Sequence, residues 1–341
     1  MRYLPIKEIP EGILLARDLF GNDGRILLAK GVRLTGTYLQ RLQEMKFSHL
    51  YVAKTVEDVE FSCPVSDLTY AETIQVVREV FFNVAKHYYL CFALVLEIAE
   101  IIVDEIIGNN IPFNIIDQKN DDNYIYLHSV NVCIISTIIG KVLGLDRSKL
   151  KDLAVGALLH DIGKVFIAPI MGKSKEFSDQ FTQQMINHPQ YGFNLLRAIP
   201  EINLLSAHIA YQHHEREDGS GYPRALEGDE IHLFAKITAI ADTYDAMISG
   251  KGYRKNLWSH EVIKELVNNP THYDHMVLSA LPISVALYPI GSMVLLTNQQ
   301  KAVVVNVTAK ETTIELVSGN KKGEKINLLP NFLIKIERRL S

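Results

Sequence analysis

The amino-acid sequence predicts a mainly α protein: a helical bundle with a small α/β segment before it and a small β-rich appendage after it. Two patterns carry that prediction. Between about residues 114 and 284, apolar residues recur three and four apart, the spacing of helices that bury one face. Beyond residue 285 the chain changes to short β-branched runs broken by turn residues, which suits strands. At 341 residues the chain is long enough for more than one core.

Residues 1–54 read as a small α/β domain. Gly21-Asn22-Asp23-Gly24 between Ala16–Phe20 and Arg25–Leu28 is a hairpin signal. Thr35 or Thr37 can then cap a short helix with Tyr38, Leu39, Leu42 and Met45 on its apolar side. Residues 55–113 combine a linker, marked by Glu57, Asp58, Glu60 and Pro64, with one long connecting helix from about Thr69 to Ile107. Gly108-Asn109-Asn110 stops that helix, and Pro112 follows. Such a helix suits dimerisation, giving a homodimer, or signal transmission, or simple packing on the bundle. Within 114–284 the candidate helices are Leu127–Leu143, Ser148–Ile162, Asp179–Ala198, Ile202–Glu215, Glu230–Ser249 and Ser259–Val267. Residues 285–341 form the appendage, with strands expected at Ser292–Thr297, Ala302–Val307 and Thr312–Val317.

Composition narrows the function. A formal net charge of −4 gives no general basic field, which argues against broad nucleic-acid binding. The most lipid-like stretch, Leu90 to Ile107, is interrupted by Glu97, Glu100, Asp104 and Glu105, so no membrane span is expected. The start of the chain lacks a signal-peptide pattern, and Cys63, Cys91 and Cys133 lack CxxC spacing. The expectation is a cytoplasmic protein with reduced thiols.

The chemistry sits where polar residues continue apolar stripes. Leu150, Leu153, Ala154, Ala157 and Leu158 lead to Asp161, with His160 beside it. A carboxylate aimed at a core is expensive unless paired, hydrogen-bonded or bound to a metal. His128 opens a face that continues through Val132, Ile135 and Ile139, and Ile231, Phe234, Ala235 and Thr238 lead to Asp242 and Asp245. His188 precedes Pro189, and His213-His214 precede a sharp turn. Any one of these histidines is more often a surface or satisfied core residue. Together, on the inward ends of apolar helices, they point to a site for iron, manganese or zinc.

His160-Asp161-Ile162-Gly163-Lys164 matches the HD signature, and the run from His213-His214 to Gly221-Tyr222-Pro223 closely matches the HD-GYP signature. His128-Ser129, His188-Pro189 and Ala241-Asp242-Thr243-Tyr244-Asp245 fall in the same order and at suitable spacings. Over about 114–284 the chain resembles the HD-GYP family of metal-dependent cyclic di-GMP phosphodiesterases. The resemblance implies an HD-type bundle holding two divalent ions, iron or manganese. His128, His160, Asp161 and Asp242 would hold one, and Asp161 would bridge to a second held by His188, His213 and His214. A shared hydroxide between ions about 3.5–4 Å apart would attack the phosphate. Asp161 and Lys164 would be the catalytic side chains, with Lys164 holding a phosphate oxygen or assisting the leaving group. Lys251 and Arg254 would grip the substrate, giving linear pGpG, with onward cleavage to GMP left open. Asp245 would orient a ligand.

Some positions depart from the family. Tyr124 replaces a glutamate with which some relatives hold a third metal, which favours two metals here. Lys251-Gly252-Tyr253-Arg254 stands where an Arg-Pro-Tyr-Arg/Lys run is common, so the bidentate fork is lost and the loop is looser. Ala168 replaces a proline usual after the HD helix, a change expected to be structural only. The Gly221-Tyr222-Pro223 loop is associated in relatives with docking to diguanylate cyclases (GGDEF proteins); by its residues alone it is a rigid turn. Two alternatives stand beside cyclic di-GMP hydrolysis: another cyclic dinucleotide or nucleotide as substrate, or a sensor that binds without cleaving. The complete ligand set favours catalysis.

Overall fold

The computed structural model describes residues 2–21, 25–45, 47, 49–55, 63–87, 92–114, 124–167, 179–249, 257–308, 311–328 and 336–340. In the N-terminal unit, β1 (Arg2–Pro5), β5 (His49–Ala53) and β2 (Leu14–Leu15) form an antiparallel sheet with β5 in the middle. The expected hairpin is present as β3 (Leu19–Phe20) against β4 (Ile26–Leu28). Thr35, not Thr37, caps α1 (Gly36–Glu44), its hydroxyl accepting from the Tyr38 N–H at 3.3 Å. Leu39 and Leu42 then face Ile6, Leu15, Leu34 and Leu50 in a core of their own.

The single long helix expected over 69–107 is corrected to two, α2 (Asp67–His87) and α3 (Phe92–Gly108). One helix of that length would run about 58 Å, beyond the edge of any single core. Folded back, both helices bury their stripes together: Ile74, Val77 and Phe81 of α2 join Val95, Ile102 and Ile106 of α3. The hairpin is locked where its ends meet, since the Thr69 and Ser66 hydroxyls both donate to the Glu105 carboxylate, at 2.6 and 3.1 Å.

The same core continues through α4 (Tyr124–Val142), α5 (Arg147–Leu158), α6 (Asp179–Leu196), α7 (Leu204–Gln212), α8 (Leu233–Ser249), α9 (Ser259–Val267) and α10 (His275–Ser284). Helix α4 is the hub, with α2, α3, α5, α8 and α10 packed around it. Its apolar composition on all sides reflects that position, because a helix surrounded by others has no solvent face. It is long and apolar enough to cross a membrane, and most of that stretch is buried inside the bundle. Helix α5 stops at Leu158, short of the expected Ile162, and Ile162–Phe166 form a 3-10 turn. Helix α10 was not expected; Pro282 in its last turn breaks the pattern, while Asp274 caps its start by accepting from Met276 and Val277.

The expected ends of the bundle meet in space, with Phe113 and Val285 bridged and the Ala286 N–H donating to the Phe113 carbonyl at 2.8 Å. Beyond them lies an antiparallel sheet in the order β10-β6-β7-β8-β9. The expected strands are β6 (Met293–Leu296), β7 (Lys301–Val307) and β8 (Thr312–Leu316), joined by β9 (Lys325–Leu328) and β10 (Ile336–Arg339). A bulge between Val304 and Asn306 resets the alternation of β7, so Val307 turns inward after Ala302 and Val304.

Because α3 shares the bundle core, Ile102→Ala is expected to destabilise the bundle by about 2–5 kcal/mol. Hydrogen exchange should show α3 and α4 losing protection together. Loss confined to α2 and α3 would show a hairpin that unfolds on its own.

Candidate metal centre

Asp161 is the centre of the arrangement. It is 1% exposed, and its two carboxylate oxygens face different histidines. Oδ1 lies 3.4 Å from His188 Nε2 and 3.7 Å from His213 Nε2; Oδ2 lies 3.5 Å from His160 Nε2 and 3.9 Å from His128 Nε2. Two groups with metal-ligating geometry therefore share one carboxylate: Asp161, His188, His213 and His214 on one side, and His128, His160 and Asp161 on the other. Asp242 joins the second group, with Oδ1 2.9 Å from His128 Nε2 and 3.9 Å from His160 Nε2. All seven expected ligands are thus brought together.

The backbone aims the rings. A helix leaves its last carbonyls without partners, and a histidine just past the end can use them. His160 follows the end of α5, and its Nδ1 donates to the Ala157 carbonyl at 2.8 Å. His213 follows the end of α7, and its Nδ1 meets the Ile209 and Ala210 carbonyls at 3.1 Å each. His188 is inside α6, where Pro189 has no N–H to give the Met185 carbonyl. His188 Nδ1 donates to that carbonyl instead. On α4, His128 Nδ1 donates to Asp245 Oδ2 at 2.6 Å. A carbonyl can only accept, so at His160, His188 and His213 the proton is fixed on Nδ1. Each Nε2 lone pair is turned inward, as in metal-ligating histidines held by an outer partner.

This leaves groups that need a cation. His188 Nε2 and His213 Nε2 are 3.3 Å apart, and each ring already gives its Nδ1–H to a backbone carbonyl. His160 Nε2 and Asp161 Oδ1 are buried without a hydrogen-bond partner. Burial pulls the His160 imidazole down to about 4, and likewise lowers His188 and His214. Burial works against the Asp161 charge, but Lys164 and His160 outweigh it and hold the carboxyl well below its usual range. Asp242 is held low in the same way, against burial, by His128. At His128 burial is opposed and exceeded by bonds to Asp242 and Asp245, so its proton affinity is raised. Imidazole nitrogens around ionised carboxylates are the donor set of a divalent transition metal. The residues fit that group.

Two glycines make the geometry reachable. A Cβ on Gly163 would sit 2.0 Å from the His188 carbonyl, so α6 can approach the 3-10 turn only over a glycine. A Cβ on Gly221 would sit 2.4 Å from Glu215 Cα, and that contact seats the next residue, Tyr222, on His214 with ring centroids 4.6 Å apart. Buried Glu215 fastens the rest of the loop, accepting from the Arg224 and Leu226 N–H groups at 2.8 and 3.0 Å. The Tyr124 ring stacks on His128 at 5.2 Å. Lys164 Nζ lies 2.5 Å from Asp161 Oδ2 and is 21% exposed, so it is the ammonium at the mouth of the site. Lys251 and Arg254 lie outside the described residues, as does Ala168.

Sequence reasoning missed Glu215, Asn131 and Tyr70. Glu215 carried a signal, since it directly follows the histidine pair and precedes the turn. Asn131 lies one helical turn beyond His128, and its Nδ2 donates to Asp245 Oδ1 at 2.9 Å.

Residues 113–277 match the family model described as HD domain. Over 209 residues the chain is 32% identical to a cyclic di-GMP phosphodiesterase of Pseudomonas aeruginosa, covering 60% of this chain and 50% of that one. Over 158 residues it is 33% identical to a 3'3'-cGAMP-specific phosphodiesterase of Vibrio cholerae, covering 45% of this chain and 30% of that one. The matched part is thus half the length of the first relative and under a third of the second. Among solved structures, an HDG"Y"P protein from Bdellovibrio bacteriovorus shares the fold at a TM-score of 0.51 and 19% identity, covering 82% of this chain and 97% of that one.

Gly163→Ala is expected to push α6 off the 3-10 turn and weaken Mn2+ binding by roughly tenfold or more, as loss of a ligand's support does. Titration calorimetry on the variant, with circular dichroism to confirm folding, checks this. Native affinity would show that His188 is not held through that contact.

Proposed function

We propose, from the match of residues 113–277 to the HD domain and the histidine pair that leads into the GYP loop, that the chain is a phosphodiesterase that hydrolyses cyclic di-GMP to pGpG. One observation carries the reading: a buried carboxylate whose two oxygens are split between two sets of inward-facing imidazoles. Two divalent ions, iron or manganese, would supply Lewis-acid charge for the phosphate and activate water as the nucleophile. The first would be held by His128, His160, Asp161 and Asp242, the second by Asp161, His188, His213 and His214. Tyr124 covers His128 where a further carboxylate would be needed, which supports two ions over three.

The side chains divide the remaining work. The outer hydrogen bonds fix the rings of His128, His160, His188 and His213, so these ligands need no reorganisation during the reaction. Lys164, paired with Asp161 and reaching solvent, can turn its ammonium to a phosphate oxygen or to the departing ribose oxygen. Tyr222 supports His214 by stacking. That packing already accounts for the glycine and tyrosine of the loop, so it favours a bracing role over docking to a diguanylate cyclase. A second reading, another cyclic dinucleotide as substrate, is favoured by the Vibrio relative named for 3'3'-cGAMP and by the Lys251-Gly252 departure.

The test is anaerobic incubation of protein loaded with Fe2+ or Mn2+ with cyclic di-GMP, followed by chromatography of the products. Metal-dependent pGpG is expected, falling at least about a hundredfold in Asp161→Ala. Binding without product would favour the sensor reading. Faster cleavage of 3'3'-cGAMP would favour the second substrate. No product from protein shown to hold metal would overturn cyclic di-GMP hydrolysis.

A further inference from the structure

The HD match begins at residue 113, yet a side chain from well before it reaches toward the metal centre. Tyr70, on α2, donates from its hydroxyl to Asn131 Oδ1 at 2.9 Å. Asn131 Nδ2 in turn donates to Asp245 Oδ1 at 2.9 Å, and Asp245 Oδ2 holds His128 Nδ1 at 2.6 Å. Tyr70, Asn131, Asp245 and His128 are all at most 2% exposed, so no solvent competes for these bonds. We infer that Tyr70 and Asn131 are positioning residues for the His128 side of the metal centre, and that α2 is therefore part of the site.

The bonds have a direction. Burial pushes the Tyr70 phenol up, so the hydroxyl keeps its proton and can serve as the donor. The oxygen of the Asn131 amide must then face Tyr70, which turns its NH2 toward Asp245. Asp245 so held presents its other oxygen to His128 Nδ1 and fixes the ring with Nε2 toward Asp161 and Asp242. Without the Tyr70 hydroxyl the amide loses the contact that sets its orientation. Without Asn131, one oxygen of a buried carboxylate loses a donor and the hold on the orientation of Asp245 is weakened. The N-terminal unit grips the same helix: Arg17 donates to Asp67, the first residue of α2, at 3.3 Å, and the Phe20 ring lies 5.9 Å from that of Tyr70. The orientation of a metal ligand thereby depends on how α2 is seated.

This inference rests on the metal-site reading and is tested without substrate. The full-length wild type, Tyr70→Phe and Asn131→Ala are titrated with Mn2+ by calorimetry, and the bound ion is followed by electron paramagnetic resonance. In wild type two Mn2+ are expected. In Asn131→Ala one of them should weaken by roughly 10- to 100-fold, the range for loss of a ligand's outer partner. Tyr70→Phe should weaken the same ion to a lesser degree and change its resonance signal, with the metal-free melting temperature of this isosteric variant near that of wild type. Native affinities and spectrum in Tyr70→Phe would overturn the inference even if Asn131→Ala fails to fold. Equal weakening of both ions would overturn its assignment to the His128 side. A wild type that binds Mn2+ but leaves cyclic di-GMP intact would defeat the proposed function alone; one that binds no Mn2+ would defeat both.

Discussion

The fold is organised around one costly feature, an ionised carboxylate with 1% exposure in the middle of a helical core. An isolated charge in such a place would be penalised by several kcal/mol even after relaxation. Asp161 is tolerated because four imidazoles and an ammonium converge on its two oxygens. Those partners come from α4, the end of α5, the 3-10 turn, α6 and the end of α7. The bundle must therefore bring five pieces of chain to one point with a tolerance of about 0.5 Å. Much of its detailed packing, from Gly163 under α6 to Gly221 against Glu215, serves that convergence.

Helix ends do most of the aiming. The termini of α5 and α7 each expose carbonyls that catch an Nδ1–H, and Pro189 frees a third carbonyl inside α6 for the same use. The arrangement orients the rings, and it also places the negative ends of two helix dipoles against the site, which favours cations there. His128 is the exception. It lies within α4, where the backbone carbonyls are taken by the helix, so a carboxylate has to replace the missing carbonyl. That substitution explains why this ligand alone depends on a second carboxylate, Asp245, and on the amide that holds it.

What could be read from the sequence follows the same division. The seven ligands were legible because inward polar residues at the ends of apolar stripes conflict with burial, and the HD and GYP runs give their order. The boundary of α5 was not: periodicity carried the helix on to Ile162, while His160 and Asp161 need the chain to leave the helix at Leu158. The break between α2 and α3 was also hidden, since both halves share one apolar period and only tertiary packing makes them fold back. Asn131 and Tyr70 gave no local signal, because their role exists only where α2, α4 and α8 meet. Glu215 was overlooked beside two histidines, although a carboxylate before a tight turn can collect the N–H groups that the turn exposes.

Charge balance links this architecture to the proposed substrate. Among the described residues, the Asp161, Asp242 and Asp245 carboxylates face the Lys164 ammonium and His128, whose proton affinity Asp242 and Asp245 raise, while burial lowers that of His160, His188 and His214. Such an excess of negative charge repels a phosphodiester, so the metal-free site is a poor receptor for the proposed substrate. One divalent ion would cancel that excess, and on the two-ion reading a second would reverse its sign. The site would then attract an anion at the place where the nucleophile is formed. On that reading substrate binding would be conditional on a full complement of metal, and any side chain that loosens one ion, however far from the phosphate, would weaken substrate capture as well as the chemical step.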